Sequence, residues 1–187
     1  MKNIILASSS PRRKELLAQH KINFKIDFIE IDEVLDYNLA LPLRLEKLAY
    51  QKALPVSKKY PNDIIIGADT MVCLNDEMLG KPKDRQEAFA MLKRLAGKTQ
   101  TVYSAVAIIN GDKVITFHDC TDVTFKELTD KQINDYLDCK EWIGKAGGYA
   151  IQGIGKKLVD NINGDIETVI GLPVGMIENY LKSELEV

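Results

Sequence analysis

The sequence predicts an α/β protein. Apolar strand-like runs alternate with segments of helical spacing through the first half of the chain. The second half is richer in strands, and Asn110-Gly111 lies between two strand-like runs, as is typical of a β-hairpin. Because no linker, repeat or low-complexity segment interrupts the chain, we expect a single domain over residues 1–187.

The composition excludes several classes of function. A net charge of −2 argues against broad electrostatic binding of nucleic acid, because there is no basic excess to neutralise many phosphates. Three cysteines without CxxC spacing and two distant histidines favour neither a disulfide framework nor a zinc site or a Ser-His-Asp hydrolase. The chain starts with a short strand rather than an apolar leader, and no apolar run reaches transmembrane length. We therefore expect a cytoplasmic protein without a membrane partner.

The loop between the first strand and the first helix has features of a phosphate site. Residues 4–6 form the strand, and the loop after it ends in a run of three serines whose last member, Ser10, is a good N-cap. Pro11 suits the first helical position, where its missing N–H costs nothing, and Arg12 and Arg13 follow at once. Free helix N–H groups, hydroxyls and arginine forks all favour phosphate. A capped helix with solvated arginines would explain the same residues.

The remaining elements continue the alternation. Strands are expected over residues 24–31, 64–74, 99–109 and 113–125, and helices over residues 43–53, residues 129–137 and from about Pro173 onward. Residues 75–77 suit the turn that ends the strand over 64–74. Asp84-Arg85-Gln86-Glu87 has the pattern of a capping box, which opens a helix that Gly97 ends.

Three charged residues stand out against these apolar elements. Asp69 lies within an otherwise apolar strand, where a carboxylate is costly unless it is paired, hydrogen-bonded or bound to a metal. An aspartate that caps a turn at the strand end is the alternative. Lys52 follows the apolar residues of one face of a predicted helix. Lys81 lies between a glycine and a proline, two residues that together give a backbone a specific conformation. Either lysine could also be simply solvated.

Two further segments suggest binding without proving it. Glu30, Asp32 and Glu33 form an acidic group at a predicted strand end, where magnesium could bind to oxygen ligands, although acidic loops are often only solvated. The glycine-rich passage over residues 144–155 lacks the third glycine of a dinucleotide fingerprint, and the chain has no P-loop. This passage instead favours close backbone approach, with Gln152 able to read a base as donor and acceptor.

Taken in order, these residues match a known series of motifs. The series is Ser-x-Ser-Pro-Arg-Arg at 8–13, Glu33, Lys52, Gly-Ala-Asp-Thr at 67–70, Gly-Lys-Pro at 80–82, Lys-Ala-Gly-x-Tyr-x-Ile-Gln-Gly at 145–153 and Gly-Leu-Pro at 171–173. From about Ile4 to Pro173 the chain resembles the Maf family of nucleoside triphosphate pyrophosphatases. The resemblance implies a two-lobed α/β fold, related to inosine triphosphate pyrophosphatases. It also implies a mixed twisted sheet and a nucleotide cleft between the lobes.

The resemblance further implies a reaction and a set of site residues. A nucleoside triphosphate and water would give the monophosphate and pyrophosphate, as a house-cleaning step of nucleotide metabolism that uses Mg²⁺ or Mn²⁺. Its implied catalytic residues are Asp69 as the base, Lys52, Lys81 and Glu33, with Glu33 and Asp69 as metal ligands. Its implied substrate-binding residues are Ser8, Ser10, Arg12, Arg13, Thr70 and Gln152. The family also leads us to expect a homodimer.

Residues near the base position are similar to the family branch that acts on dTTP and UTP. These are Arg12 or Arg13, Thr70 and Gln152. A glutamine can pair with the imide edge of thymine or uracil, which presents two acceptors around one donor. The 7-methyl-GTP branch is expected to have a bulky aromatic residue and an acid at the last two positions. Gln100 and Gly148 depart from the usual family residues, outside the proposed catalytic set.

Two alternative functions remain open at this stage. One is a purine pyrophosphatase that acts on inosine or xanthosine triphosphate. The other is a non-catalytic nucleotide-binding regulator of cell division, although a regulator has no need of Asp69 beside the cationic residues. The sequence does not rank dTTP, UTP and their modified analogues, because it does not show the volume of the base pocket.

Overall fold

The computed structural model describes residues 2–185 and confirms the α/β class. Its strands are β1 (Ile4–Leu6), β2 (Lys25–Ile26), β3 (Ile64–Leu74), β4 (Glu77–Leu79), β5 (Thr99–Asn110), β6 (Lys113–Phe125) and β7 (Val159–Asn163). Its α-helices are α1 (Pro11–Gln19), α2 (Leu41–Lys59), α3 (Arg85–Leu95), α4 (Asp130–Asp138), α5 (Ile166–Ile170) and α6 (Val174–Leu185). Short 3₁₀ turns lie at Ala146–Gly148 and Gly153–Leu158. Among the helices of this described part, none has the length and apolarity needed to cross a membrane.

The strands form a mixed seven-stranded sheet, as expected. Its order is β2-β1-β3-β5-β6-β7, and β4 pairs with β3. Strand β1 is parallel to both β2 and β3, so that Ile5 pairs with Lys25 and with Ile65. Parallel strands need crossover connections: α1 connects β1 to its neighbour β2, and α2 leads from β2 past β1 to β3 on its other side. The pairs β3–β4 and β6–β7 are antiparallel.

The chain divides into two compact units. The first unit comprises Met1–Asp69, Ser104–Asp119 and Gly171–Val187, and the second comprises Thr70–Tyr103 and Cys120–Ile170. Two adjacent site candidates, Asp69 and Thr70, therefore fall on either side of a boundary within β3. The single domain over residues 1–187 and the nucleotide cleft stay predictions.

Each unit has its own apolar core. In the first unit, β3 is buried without interruption from Ile64 to Asp69, and α2 buries Leu45, Leu48 and Ala49. A continuous apolar run is what a strand covered on both faces requires. In the second unit, the buried rings of Phe125 and Tyr149 pack edge to face with centroids 4.8 Å apart. That geometry is one of the favoured arrangements of aromatic pairs.

The second strand is much shorter than its alternating sequence predicts. Only Lys25 and Ile26 pair with β1, so the predicted strand over residues 24–31 is wrong for residues 27–31. The N–H of Asp27 still donates to the carbonyl of Leu6 at 3.3 Å, but β1 ends there and offers no further partners. Residues 27–36 contain no helix or strand, because alternation needs a partner strand to become β-structure.

Two other boundaries differ from the prediction. Helix α2 extends well past residues 43–53 and contains Pro55. Glu77 is the first residue of β4 and does not belong to the turn, which consists of Asn75 and Asp76, both with positive φ. The predictions for β3, β5, β6 and α4 are confirmed to within one residue at each end.

The helix caps follow the sequence in part. Ser10 and Pro11 are the N-cap and first residue of α1, but the Ser10 side chain makes no capping bond. Asp84 caps α3 by accepting the Glu87 N–H at 2.8 Å. The Glu87 carboxylate accepts from the Lys83 N–H instead of from Asp84, so the predicted capping box is only half formed. Gly97, with φ of 66°, follows the C-cap of α3 and ends the helix as predicted.

Candidate active site

Close approach of α2 to β3 brings Lys52 to Asp69. Gly67 lies two residues before Asp69, and a Cβ atom there would lie 2.3 Å from the carbonyl oxygen of Ala49 and 2.9 Å from the Cβ of Ala53. Real Cβ atoms do not come that close to other atoms, so only glycine allows this packing distance. The result is a contact of 2.5 Å between the Lys52 Nζ and the Asp69 Oδ1.

Lys52 joins two carboxylates. Its Nζ also lies 2.9 Å from the Glu33 Oε1, in the loop that follows β2. The side chain of Asp69 is 11% exposed, that of Lys52 22% and that of Glu33 50%. Asp69 is therefore the paired, nearly buried carboxylate that the first of its two interpretations requires. The neighbouring acids Glu30 and Asp32 make no ion pair with Lys52.

Arg13 binds the backbone on either side of this charged cluster. Its Nη1 donates to the Ala68 carbonyl at 2.9 Å and to the Ser8 Oγ at 3.1 Å. Its Nε donates to the Gly171 carbonyl at 2.9 Å. One guanidinium thus joins the loop after β1, the strand residue before Asp69 and the segment that leads to α6.

The charge of Arg13 is coupled to the same carboxylates. The pKa of the Arg13 guanidinium is lowered, mainly because the group is buried. The negative charges of Asp69 and Glu33 act in the opposite direction and raise this pKa, whereas the positive charge of Arg12 lowers it further. Arg13, Lys52, Asp69 and Glu33 therefore form a cluster with two positive and two negative charges.

The serine-rich loop is organised by Ser8. The Ser8 side chain is buried, and its Oγ accepts the Ser10 N–H at 3.3 Å in addition to the Arg13 donor. The Ser10 carbonyl accepts the Lys14 N–H and so starts α1. Arg12 is half-buried in the first turn of the helix. Ser10 and Pro11 take the predicted places at the start of the helix, without the side-chain cap, and the role of the loop in phosphate binding stays a prediction.

The second unit holds its candidate residues mainly through the backbone. Lys81 is exposed and lies between Gly80 and the buried Pro82. The Gly147 N–H donates to the Gly80 carbonyl at 3.0 Å, which joins the Lys81 segment to the glycine-rich passage. Thr70, in β3, is half-buried.

Gln152 is exposed on a segment whose preceding residues are firmly anchored. Tyr149 packs its buried ring on Phe125, and the Ala150 N–H donates to the Tyr136 hydroxyl oxygen at 3.1 Å. Burial also raises the pKa of the Tyr149 phenol, so this anchor stays neutral. The polar side chain of Gln152 is thus presented by an apolar, buried support.

Glu141 anchors the residues that follow Gln152. Its two carboxylate oxygens accept the N–H groups of Ile154 and Gly155, each at 3.0 Å. Charge-assisted bonds of this kind satisfy the free N–H groups at the start of a 3₁₀ turn. Gly155 is required there, because a Cβ atom would lie 2.0 Å from the carbonyl oxygen of Ala150.

Two residues without any local sequence signal thus support the candidate site. Glu141 acts across 13 and 14 positions of the chain, and Gln51, beside Lys52, binds the backbone of Val34 across 17 positions. Sequence spacing reports contacts within one helix or strand, whereas these contacts join separate elements. The only signal in the sequence is that Gln51 is the immediate neighbour of Lys52, and Glu141 has none.

The donor set fits a divalent cation. Two carboxylates, Glu33 and Asp69, contact one Lys52 ammonium, so the two carboxylates lie close to each other. Within residues 2–185 no group of three or more His, Cys, Asp or Glu side chains could hold a metal ion. Mg²⁺ is commonly bound by one or two carboxylates together with substrate phosphates, and two carboxylates match that requirement.

Comparison with known proteins identifies the family of this chain. A family model described as Maf-like protein matches residues 3–184. The chain belongs to the Maf family. Curated relatives named dTTP/UTP pyrophosphatase include that of Bacillus velezensis (strain DSM 23117 / BGSC 10A6 / LMG 26770 / FZB42), which is 47% identical over 97% of this chain and 96% of the relative. That of Bacillus cereus (strain G9842) is 46% identical over 97% of this chain and 95% of the relative. That of Pyrococcus furiosus (strain ATCC 43587 / DSM 3638 / JCM 8422 / Vc1) is 46% identical over 95% and 93%. The resemblance of this Maf chain to its family is therefore confirmed over almost its whole length.

Proposed function

We propose that this Maf chain hydrolyses dTTP and UTP, and their modified pyrimidine analogues, to the monophosphate and pyrophosphate. The observation that carries the proposal is the nearly buried Asp69 carboxylate held by Lys52, in a chain 46–47% identical to dTTP/UTP pyrophosphatases. A house-cleaning role follows from the reaction, because it removes a triphosphate from the nucleotide pool.

In the proposed reaction, Asp69 is the general base. Water attacks the α-phosphorus, a new P–O bond forms, and the bond from the α-phosphorus to its bridging oxygen breaks to release pyrophosphate. The Lys52 ammonium contacts the Asp69 Oδ1, so we assign the other oxygen, Oδ2, to accept the water proton. A positioned base of this kind typically contributes about 10²–10⁴-fold to the rate.

Charge balance supports a role for a divalent cation. A bound triphosphate has about four negative charges, whereas the two positive charges of Arg13 and Lys52 are already balanced by Asp69 and Glu33. Arg12 and Lys81 would add positive charge. Glu33 and Asp69 would hold Mg²⁺ or Mn²⁺, which neutralises phosphate oxygens as a Lewis acid when bound.

The remaining site residues would orient the substrate. Ser8 and Ser10, in the loop at the start of α1, would hold phosphate oxygens through hydroxyl and backbone N–H groups. Arg13 would keep that loop in register with Asp69 through its bonds to Ser8 and Ala68. Thr70 and Gln152 would read the pyrimidine base, with the Gln152 amide paired to the imide edge.

A substrate panel tests the proposed function. Pyrophosphate release is measured with dTTP, UTP, modified pyrimidine triphosphates, ITP, XTP and 7-methyl-GTP, with Mg²⁺ and with EDTA. We expect turnover of dTTP and UTP that EDTA abolishes. A preference for purines would contradict the pyrimidine assignment. Tight nucleotide binding without pyrophosphate release would indicate a regulator instead of an enzyme.

Two further properties are proposed together with the activity. The chain is proposed to act in the cytoplasm and as a homodimer. Light scattering coupled to size-exclusion chromatography tests the dimer directly, because it measures the molar mass. A monomer mass at micromolar concentration would contradict the dimer and leave the proposed reaction unaffected.

A further inference from the structure

We propose that Gln51 is a positioning residue that holds Glu33 at Lys52. The inference rests on the proposed function, in which Glu33 helps to bind the divalent cation. It assigns a role to a residue outside the motif series, through contacts that belong entirely to the first unit.

The segment that contains Glu33 has little apolar anchoring of its own. Residues 27–36 form neither helix nor strand, and three of the large apolar side chains there are exposed, Phe28 to 45%, Ile29 to 41% and Val34 to 63%. The Glu33 side chain is itself half-exposed. Because a loop of this kind gains little from hydrophobic burial, its conformation depends on specific polar contacts.

Gln51 makes a two-point contact with the backbone of Val34, the residue that follows Glu33. Its Oε1 accepts the Val34 N–H at 3.0 Å, and its Nε2 donates to the Val34 carbonyl at 2.8 Å. The Val34 N–H belongs to the peptide bond that joins Glu33 to Val34. Two bonds to one residue determine its orientation as well as its position, as two bonds between paired strands do. The direction in which the Glu33 side chain leaves the backbone is thereby set.

Gln51 and Lys52 are consecutive residues of α2. The helix that presents the Lys52 ammonium therefore also holds the backbone of the carboxylate that the ammonium contacts. Two other contacts hold this loop on α2, Lys47 with Asp36 at 2.9 Å and Lys59 with Asp27 at 2.5 Å. Both are partly exposed ion pairs, three and six residues from Glu33, and ion pairs of this kind contribute little to the stability of a folded conformation. Gln51 is the residue of α2 that holds the backbone next to Glu33.

The test compares Gln51→Met with Lys47→Met. Methionine keeps the length and helix propensity of residue 51 and removes both bonds to Val34, whereas Lys47→Met removes the Asp36 contact on the same loop. The readouts are Mn²⁺ binding by electron paramagnetic resonance, Mg²⁺ dependence of dTTP turnover, and amide exchange of the peptide that contains Val34. We expect Gln51→Met to raise the half-saturating metal concentration about 10-fold, with kcat at saturating metal nearly unchanged. We expect Lys47→Met to change it less than about 2-fold.

A double-mutant cycle separates positioning from a general structural effect. If Gln51 acts through Glu33, Gln51→Met adds nothing to the metal dependence of Glu33→Gln. An equal loss in both backgrounds, or unchanged amide exchange at Val34 in Gln51→Met, would overturn the inference. If the wild-type protein does not hydrolyse dTTP, the proposed function fails separately. Mn²⁺ binding and amide exchange then still decide the role of Gln51, because neither readout needs turnover.

Discussion

In the first unit, site candidates are held by one another's charges, and in the second unit they are held by backbone. Lys52 contacts both Asp69 and Glu33, and Arg13 lies in the field of both carboxylates. Gln152, by contrast, is exposed on a segment whose neighbouring backbone N–H groups bind Tyr136 and Glu141. A cluster of paired charged side chains suits a site where charge develops during a reaction, because the groups that stabilise this charge are already in place. A side chain on a firmly anchored backbone suits recognition of the shape of a ligand.

This difference predicts different responses to substitution. Neutralising a charge in the first unit removes chemistry while the side-chain volume is kept, and it also lowers stability where the partner charge is left buried and unpaired. Disturbing the backbone contacts of the second unit changes how Gln152 is presented, so substrate affinity changes more than turnover.

Asp69→Asn has the largest expected effect on turnover. The amide keeps the volume of the carboxylate but does not take a proton from water, so kcat for dTTP is expected to fall about 10²–10⁴-fold, with nucleotide binding retained. Pyrophosphate release and calorimetric binding measure the two quantities. Asp63→Asn is the matched control, because Asp63 lies one residue before β3 and its carboxylate binds Asn3 instead of a candidate site residue. Near wild-type kcat in Asp69→Asn would exclude the general-base role.

Gly67→Ala tests whether close packing of α2 on β3 is what aligns the charges of the first unit. The added methyl group would meet the Ala49 carbonyl, so helix and strand must separate, which we expect to destabilise the protein by about 1–3 kcal/mol. Misalignment of Lys52 and Asp69 is expected to lower kcat by about 10²-fold. Urea unfolding and pyrophosphate release measure these effects.

The control for this variant is Gly80→Ala, since within the described part of the chain no atom outside its two sequence neighbours lies within 4 Å of a Cβ at that position. Equal losses in the two variants would show that the effect at residue 67 does not come from its contact with Ala49.

Glu141→Gln tests the backbone support of the second unit. Glutamine keeps one acceptor for the N–H groups of Ile154 and Gly155 but loses the negative charge, so we expect about a 5-fold increase in KM for dTTP with little change in kcat. The control is Glu87→Gln, because Glu87 accepts a single backbone N–H, from Lys83, in the same unit. A fall in kcat with unchanged KM would place Glu141 in the reaction itself and would contradict the contrast between the units.

The smallest expected effect is a pH dependence of stability at the start of the loop that contains Glu33. Hydrogen bonds from Lys59 and Tyr60 lower the pKa of Asp27, so its contribution is present above the unfolded-state pKa of about 4 and is lost as the pH falls through the lower folded value. Tm of wild type should therefore exceed that of Asp27→Asn slightly at pH 7, and the difference should vanish near pH 2. A difference that grows in acid would contradict the assignment.

The sequence predicted the fold class and most elements because their signals are local. The apolar run of β3, the Asp84 cap of α3 and the hairpin between β5 and β6 each depend on neighbouring residues. The predicted strand over residues 24–31 failed because pairing depends on a second segment, and β1 has only three residues to offer.

For the site, sequence alone determined which residue types lie in which order, and from them a family and an expected chemistry. Tertiary structure decided which of these residues meet. Glu33, Lys52 and Asp69 are distant in the chain and form one charged cluster because Gly67 lets α2 approach β3. It also revealed Gln51 and Glu141, whose side chains bind the backbone of another segment. Such contacts have no period in the sequence, because they depend on how separate elements pack and not on the spacing within one of them.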